Sequence, residues 1–190
     1  MIDLSTPVSI NAGQNALENE KMTSLGHLGT HFDVMDLVFP LEYTRRQGIV
    51  FNVQNKDEIS VSDIDTSLIY EGMFITFYSG FIEVEPYGSK RYFSSHPYLS
   101  LDLIEVLLQR EISIIGVDFA GIRRGKEHTP MDRYCADKGV FIIENLCNLG
   151  IILNGRNSSE FTANIYPVNF TGMSGLPCRV TAEVDWLVEE

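Results

Sequence analysis

The sequence predicts a mixed α/β domain, and three features predict it. Leu103, Ile104, Leu107 and Leu108 recur at three-to-four spacing after Ser100, the stripe of an amphipathic helix. Two short, continuously apolar runs, Ser113–Asp118 (SIIGVD) and Val140–Ile143, read as strands buried on both faces, and each follows a helical-looking segment. Strand-rich stretches lie toward both ends of the chain. Helices alternating with buried strands define the α/β class. No repeat, low-complexity tract or Gly/Ser/Pro-rich linker divides residues 1–190, so the chain reads as one domain.

The elements follow in order. The first 50 residues carry few regular signals, and Asn11–Lys21 is almost wholly polar. Such a stretch reads as a mobile lid, an inter-subunit arm or a plain surface loop. Ile49–Val53 is β-rich, and Met73–Tyr78 (MFITFY) is a second strand that stops at Ser79-Gly80. Ser100 is suited to cap the helix carrying the apolar stripe, which ends near Arg110. Residues Asp132–Lys138 look helical, with Gly139 as the stop before Val140–Ile143. Arg179–Trp186 alternates Val180, Ala182, Val184 and Trp186 with polar residues, the pattern of a half-exposed terminal strand.

Composition narrows the function. At 44% hydrophobic and 21% charged, the chain has an ordinary globular balance. A net charge of -12 argues against nucleic acid, which demands clustered cations. The short clusters Arg45-Arg46 and Arg123-Arg124 with Lys126 read as solvated loops. Apolar runs are too short to span a bilayer, so no membrane association is expected. The start shows no basic region followed by an apolar core, which makes a cytoplasmic location the expectation. Cys135, Cys147 and Cys178 form no C-x-x-C pair and read as reduced thiols.

The segment richest in chemistry is Gly26-His27-Leu28-Gly29-Thr30-His31-Phe32-Asp33. Two imidazoles and a carboxylate within seven residues are suitable ligands for Zn²⁺, Mn²⁺ or a similar ion. Gly26 and Gly29 let the backbone bend so that the three converge. The structural alternative is a pair of hydrogen-bonded core histidines. A second segment holds His128, Asp132 and Glu144. His128 and Asp132 lie four apart and share a face if this stretch is helical, although Asp132 also suits a helix cap. Glu144 ends an apolar strand, as a surface cap or a site carboxylate.

Together these blocks resemble the cyclase family of metal-dependent hydrolases, which includes bacterial kynurenine formamidases and isatin hydrolases. The family signature H-x-G-T-H-x-D-x-P-x-H is matched from His27 through Asp33. Asp3-Leu4-Ser5, His96-Pro97 with Leu99-Ser100, Ile115-Gly116-Val117-Asp118 and Val140-Phe141-Ile142-Ile143-Glu144-Asn145-Leu146 follow in the family's order. The resemblance implies a swivelling β/β/α fold, a small-molecule substrate and a homo-oligomer (dimer or tetramer) with sites near subunit contacts. It implies a divalent Zn or Mn ion on His27, His31 and Asp33. Asp33 would be shared with a second site where Glu144 is the carboxylate.

Two departures matter. The family's second-site histidine falls at Asp132, which can ligate through oxygen, and His128 is a further candidate ligand. The family's proton-transfer histidine falls at Leu37, in Val34-Met35-Asp36-Leu37. Leu37 cannot move a proton, which leaves Asp36 and His128 as candidate catalytic groups. The implied activity is hydrolysis of a cyclic amide, N-formyl or related acyl substrate by metal-activated water. The alternative is a catalytically impaired member that binds metal or ligand. Phe39, Tyr43, Tyr70 and Tyr78 could line a pocket or an interface, or simply fill the core.

Overall fold

The structure is a computed structural model that describes residues 1–8 and 25–187. The polar stretch Asn11–Lys21 lies outside the described residues. Among the described residues the strands are β1 (Ile2–Asp3), β2 (His31–Asp33), β3 (Arg45–Asn52), β4 (Glu58–Ile59), β5 (Phe74–Tyr78), β6 (Tyr98–Leu99), β7 (Ile114–Val117), β8 (Phe141–Glu144), β9 (Ser158–Pro167) and β10 (Gly175–Glu183). The α-helices are α1 (Phe81–Val84), α2 (Lys90–Ser94), α3 (Leu101–Gln109), α4 (His128–Ala136) and α5 (Leu149–Leu153). None of these helices is long and apolar enough to cross a membrane.

Seven strands close on themselves in the order β10-β2-β8-β7-β5-β3-β9, with β9 pairing back onto β10. Strands β3, β5, β7 and β8 run parallel, and antiparallel β2, β10 and β9 complete the ring. Closure leaves no long unpaired edge, which protects a sheet of this size from pairing with other chains. The two-residue β1 adjoins β10, and β4 pairs with β6 in a separate ribbon.

The apolar runs are continuous because both faces of these strands are covered. Phe74, Ile114, Phe141 and Ile143 join Phe32, Phe161, Ile165 and Val180 in the cluster that fills the ring. Their neighbours Ile75, Phe77, Ile115, Val117 and Ile142 pack outward against Leu103, Ile104 and Leu107 of α3. Alternation thus persists within an unbroken apolar run.

Most expected elements are present. Ser100 Oγ accepts from the Leu103 N–H at 3.1 Å at the start of α3, whose C-cap is Arg110. Gly139, with φ of 77°, ends α4 through N–H bonds from Gly139 to the Ala136 carbonyl (2.8 Å) and from Val140 to the Cys135 carbonyl (3.0 Å). This is the paired Schellman arrangement. Three findings correct the sequence expectations. Helix α4 begins at His128, so Asp132 is an interior residue and not a cap. The terminal strand runs Gly175–Glu183, and Trp186 lies in a following 3-10 turn at Asp185–Leu187. Strand β9, with Phe161, Ala163 and Ile165 buried, was not expected, because its polar residues dilute the alternation.

Asp118, just past β7, ties two crossovers together. Its carboxylate accepts from the backbone N–H groups of Ser79 (3.1 Å) and Gly80 (2.7 Å) and from the Ser79 hydroxyl (2.6 Å). Burial pushes its carboxyl up to about 6, against the lowering effect of those donors. Replacing Asp118 by Ala strands these donors, and buried unpaired groups cost about 1–3 kcal/mol each. We expect a loss of roughly 2–4 kcal/mol in urea unfolding, with Asp118→Asn losing less because its amide oxygen still accepts.

Candidate metal centre

The site lies on the outer face of the ring, between β2, β8 and α4. Gly26 (φ 93°) and Gly29 (φ 62°) turn the chain so that His27 and His31 meet. Within β2, His31 and Asp33 are two residues apart and share a face, while Phe32 between them fills the ring. Antiparallel pairing sets His31 directly opposite Glu144 of β8. On α4, His128 and Asp132 are one turn apart, and both face β8.

Ligand atoms gather in two groups, one of His27, His31 and Asp33 and one of Asp33, His128, Asp132 and Glu144. Within each group they lie within 4.8 Å of one another, and Asp33 belongs to both. His27 Nδ1 is 3.1 Å from His31 Nε2 and 2.9 Å from Asp33 Oδ1. His31 Nε2 is 3.5 Å from Asp33 Oδ1 and 3.7 Å from Glu144 Oε2. His128 Nε2 is 2.9 Å from Glu144 Oε1 and 3.1 Å from Asp132 Oδ2.

These contacts are short, yet all four carboxylate oxygens of Asp33 and Asp132 are buried without a hydrogen bond among the described residues. The nitrogens approach but do not aim at them. Buried polar groups are nearly always paired, so four orphaned oxygens in one place call for an explanation. A cation held among these donor atoms would supply it. Metal–ligand bonds of about 2.0–2.1 Å in tetrahedral array put ligand atoms about 3.3 Å apart, close to the separations seen. The residues therefore fit a divalent ion.

The outer ring nitrogens have their own partners, while the inner ones, His27 Nδ1 and His31 Nε2, face each other at 3.1 Å beside Asp33. His27 Nε2 is 2.8 Å from Ser174 Oγ, and His31 Nδ1 is 2.9 Å from the Gly29 carbonyl. Burial is the largest influence on His31 and pulls its pKa down, but the charges of Asp33 and Glu144 outweigh it and carry it up to about 9. The same exchange holds Asp33 well below the usual carboxylate range, despite burial. Burial pushes Asp132 up to about 7, because His128 offsets it only in part and Asp33 adds like charge. His128 rises well above its ordinary value, burial being outweighed by Glu144 and Asp132.

The structure brings together His27, His31, Asp33, His128, Asp132 and Glu144. It does not bring Asp36, whose exposed carboxylate pairs with Arg133 of α4. Leu37 follows on the same turn and is 38% exposed. His27 and His31 have a hydrogen-bond partner at each ring nitrogen and are also grouped with Asp33, and Glu144 is a buried carboxylate rather than a surface cap. Phe39, Tyr43 and Tyr78 pack against the core, while Tyr70 is exposed. Sequence reasoning missed Ser174 and Tyr87, whose hydroxyls meet His27 and the Gly29 N–H, because single Ser and Tyr residues far along the chain carry no spacing signal.

A closed mixed sheet with a His/Asp/Glu cluster on its outer face defines an α/β protein with a candidate divalent-metal centre. The chain belongs to the Cyclase family, described as "Putative cyclase", whose model matches residues 2–123. That match spans the first ligand group and stops before His128, Asp132 and Glu144. No curated protein matches the chain in sequence. Solved structures share its fold. A potential metal-dependent hydrolase with cyclase activity aligns at TM-score 0.66 and 24% identity, over 82% of this chain and 76% of that one. A predicted metal-dependent hydrolase from Bacillus stearothermophilus aligns at 0.67 and 19%, over 95% and 96%. Isatin hydrolase A from Ralstonia solanacearum aligns at 0.68 and 18%, over 83% and 72%.

Proposed function

We propose that the protein is a metal-dependent hydrolase of a small molecule, opening the acyl C–N bond of a cyclic amide, an N-formyl group or a related substrate. The observation that carries this reading is the set of four buried carboxylate oxygens, on Asp33 and Asp132, that no hydrogen bond satisfies. His27, His31 and Asp33 would hold one ion, and Asp33, Asp132 and Glu144 would supply carboxylates to a second. Zn²⁺ or Mn²⁺ suits such a mixed nitrogen and oxygen set. When bound, the ion polarises a carbonyl and lowers the pKa of water from about 16 toward about 7.

The chain's own residues then manage orientation and protons. Ser174 and the Gly29 carbonyl hold the two imidazoles with their inner nitrogens turned toward Asp33. His128 is the member at the rim, with 32% of its side chain exposed, and Glu144 and Asp132 steady its Nε2. That position suits it to deliver a proton to the departing nitrogen, work that Leu37 cannot do. Positioned proton transfer is typically worth about 10²–10⁴-fold. Leu37 also favours a second reading, in which the centre binds metal or ligand with little turnover.

Replacing His31 by Ala tests the assignment. The ion of the first ligand group, counted by elemental analysis, and hydrolysis of formamide and lactam substrates should be lost together. An unchanged metal content in a folded variant sinks it. Wild-type protein that carries stoichiometric metal but hydrolyses none of these substrates supports the second reading.

A further inference from the structure

We propose that Asn145 is a positioning residue for the metal centre, oriented by Tyr92 and acting through the Gly29 carbonyl to keep the His31 Nε2 lone pair turned toward the ion. The inference rests on the metal reading above and adds to it a specific device.

Gly29 stands between His27 and His31, and both its backbone groups are engaged. Its N–H donates to Tyr87 Oη at 2.8 Å. Its carbonyl accepts from Asn145 Nδ2 at 2.8 Å and from His31 Nδ1 at 2.9 Å. A carbonyl can only accept, so His31 Nδ1 must carry the hydrogen and a neutral ring leaves Nε2 bare. Nε2 is the atom that faces His27 Nδ1 and Asp33.

The amide of Asn145 could by itself face either way. The Gly29 carbonyl, which can only accept, selects the NH₂, and the buried Tyr92 hydroxyl, 2.8 Å from Oδ1, then donates to it and holds that orientation. The flipped amide would set an oxygen against the Gly29 carbonyl, two acceptors with no hydrogen between them. Tyr92 is in turn packed against Phe81, Tyr87 and Phe93, at centroid distances of 5.8, 5.6 and 5.3 Å.

The Asn145 backbone is anchored from several directions. Its carbonyl accepts from the hydroxyls of Thr6 (2.5 Å) and Thr30 (2.7 Å), and its N–H donates to the Phe119 carbonyl (3.2 Å). Its φ of 59° lies in the left-handed region, which Asn tolerates better than most residues. A side chain launched from so fixed a point reaches Gly29 in one geometry. Partners that hold the outer nitrogen of a metal-binding histidine typically contribute about 10–100-fold to metal affinity.

Two variants test this. Asn145→Gly removes the amide and keeps a residue that accepts positive φ. Tyr92→Phe removes one oxygen at a distance from every ligand. Zn²⁺ affinity is measured by competition with a chromophoric chelator, and the Co²⁺-loaded protein reports the exchangeable His31 Nδ1–H by paramagnetic NMR. We expect Asn145→Gly to weaken Zn²⁺ binding by about 10–100-fold, with Tyr92→Phe shifting it less and in the same direction. The Nδ1–H signal should exchange faster in both, a change that general loosening far from Gly29 would not produce. If Asn145→Gly fails to fold, Tyr92→Phe decides alone. Unchanged affinity and proton exchange in the folded variants overturns the role of Asn145 and leaves the metal centre standing. Wild-type protein that takes up no Zn²⁺ overturns both.

Discussion

On the proposed two-ion reading, replacing Asp33 by Asn is expected to weaken both metal sites at once. Asp33 belongs to both ligand groups, is 1% exposed, and has no hydrogen bond at either oxygen. A zinc site held by protein ligands is worth on the order of 10 kcal/mol, spread over three or four ligands. Losing one ligand therefore costs roughly 3 kcal/mol, about a hundredfold in affinity. Because the carboxylate is shared, that cost falls on each ion.

Thermal unfolding offers a second readout. Metal at about a thousandfold excess over its dissociation constant stabilises the wild-type protein by about 4 kcal/mol. A hundredfold weaker variant keeps only about 1.4 kcal/mol of that at the same concentration. The shape of the site survives, since Asn is nearly isosteric with Asp. Unchanged affinity of Asp33→Asn for either ion, measured by chelator competition, would contradict the shared-ligand arrangement.

The second large effect is on pH. An imidazole must be neutral to bind a metal, and His31 in the metal-free protein is pushed up to about 9 by Asp33 and Glu144 against the pull of burial. At neutral pH this ring is protonated, so binding displaces a proton. Affinity accordingly rises with pH and levels off above about 9. From His31 alone, each pH unit below that point costs a factor of about ten, or roughly a hundredfold between pH 8 and pH 6.

Other groups act in the same direction. His128 is also raised by its carboxylate neighbours and must also lose its proton if it ligates. Asp132, pushed up to about 7 by burial, must be ionised, so the dependence steepens below pH 7. Chelator competition at pH 6, 7 and 8, corrected for the chelator's own protonation, gives the slope. Calorimetry in buffers of different ionisation enthalpy counts the protons released. A flat profile across this range would show that metal binding displaces no proton from His31 and would overturn this prediction.

The sequence by itself determined the fold class and half of the centre. Short-range signals sufficed there. The α3 stripe and its Ser100 cap, the buried runs of β7 and β8, and the spacing of His27, His31 and Asp33 all act within a few residues. Glycines at the turn and period-two geometry in β2 then bring the first three ligands together.

Only the tertiary structure decided the rest. The ring closes because β9, scarcely legible in sequence, pairs with both β3 and β10. Asp132 joins the candidate cluster and is not a cap because α4 starts one turn earlier than its pattern suggested. Asp36 was set aside because Arg133 holds it at the surface. Above all, His31 meets Glu144 through antiparallel pairing across 113 residues of chain. Periodicity reports which face a residue takes within its own element. Which elements become neighbours is settled by long-range packing, and on that the second half of the candidate metal centre depends.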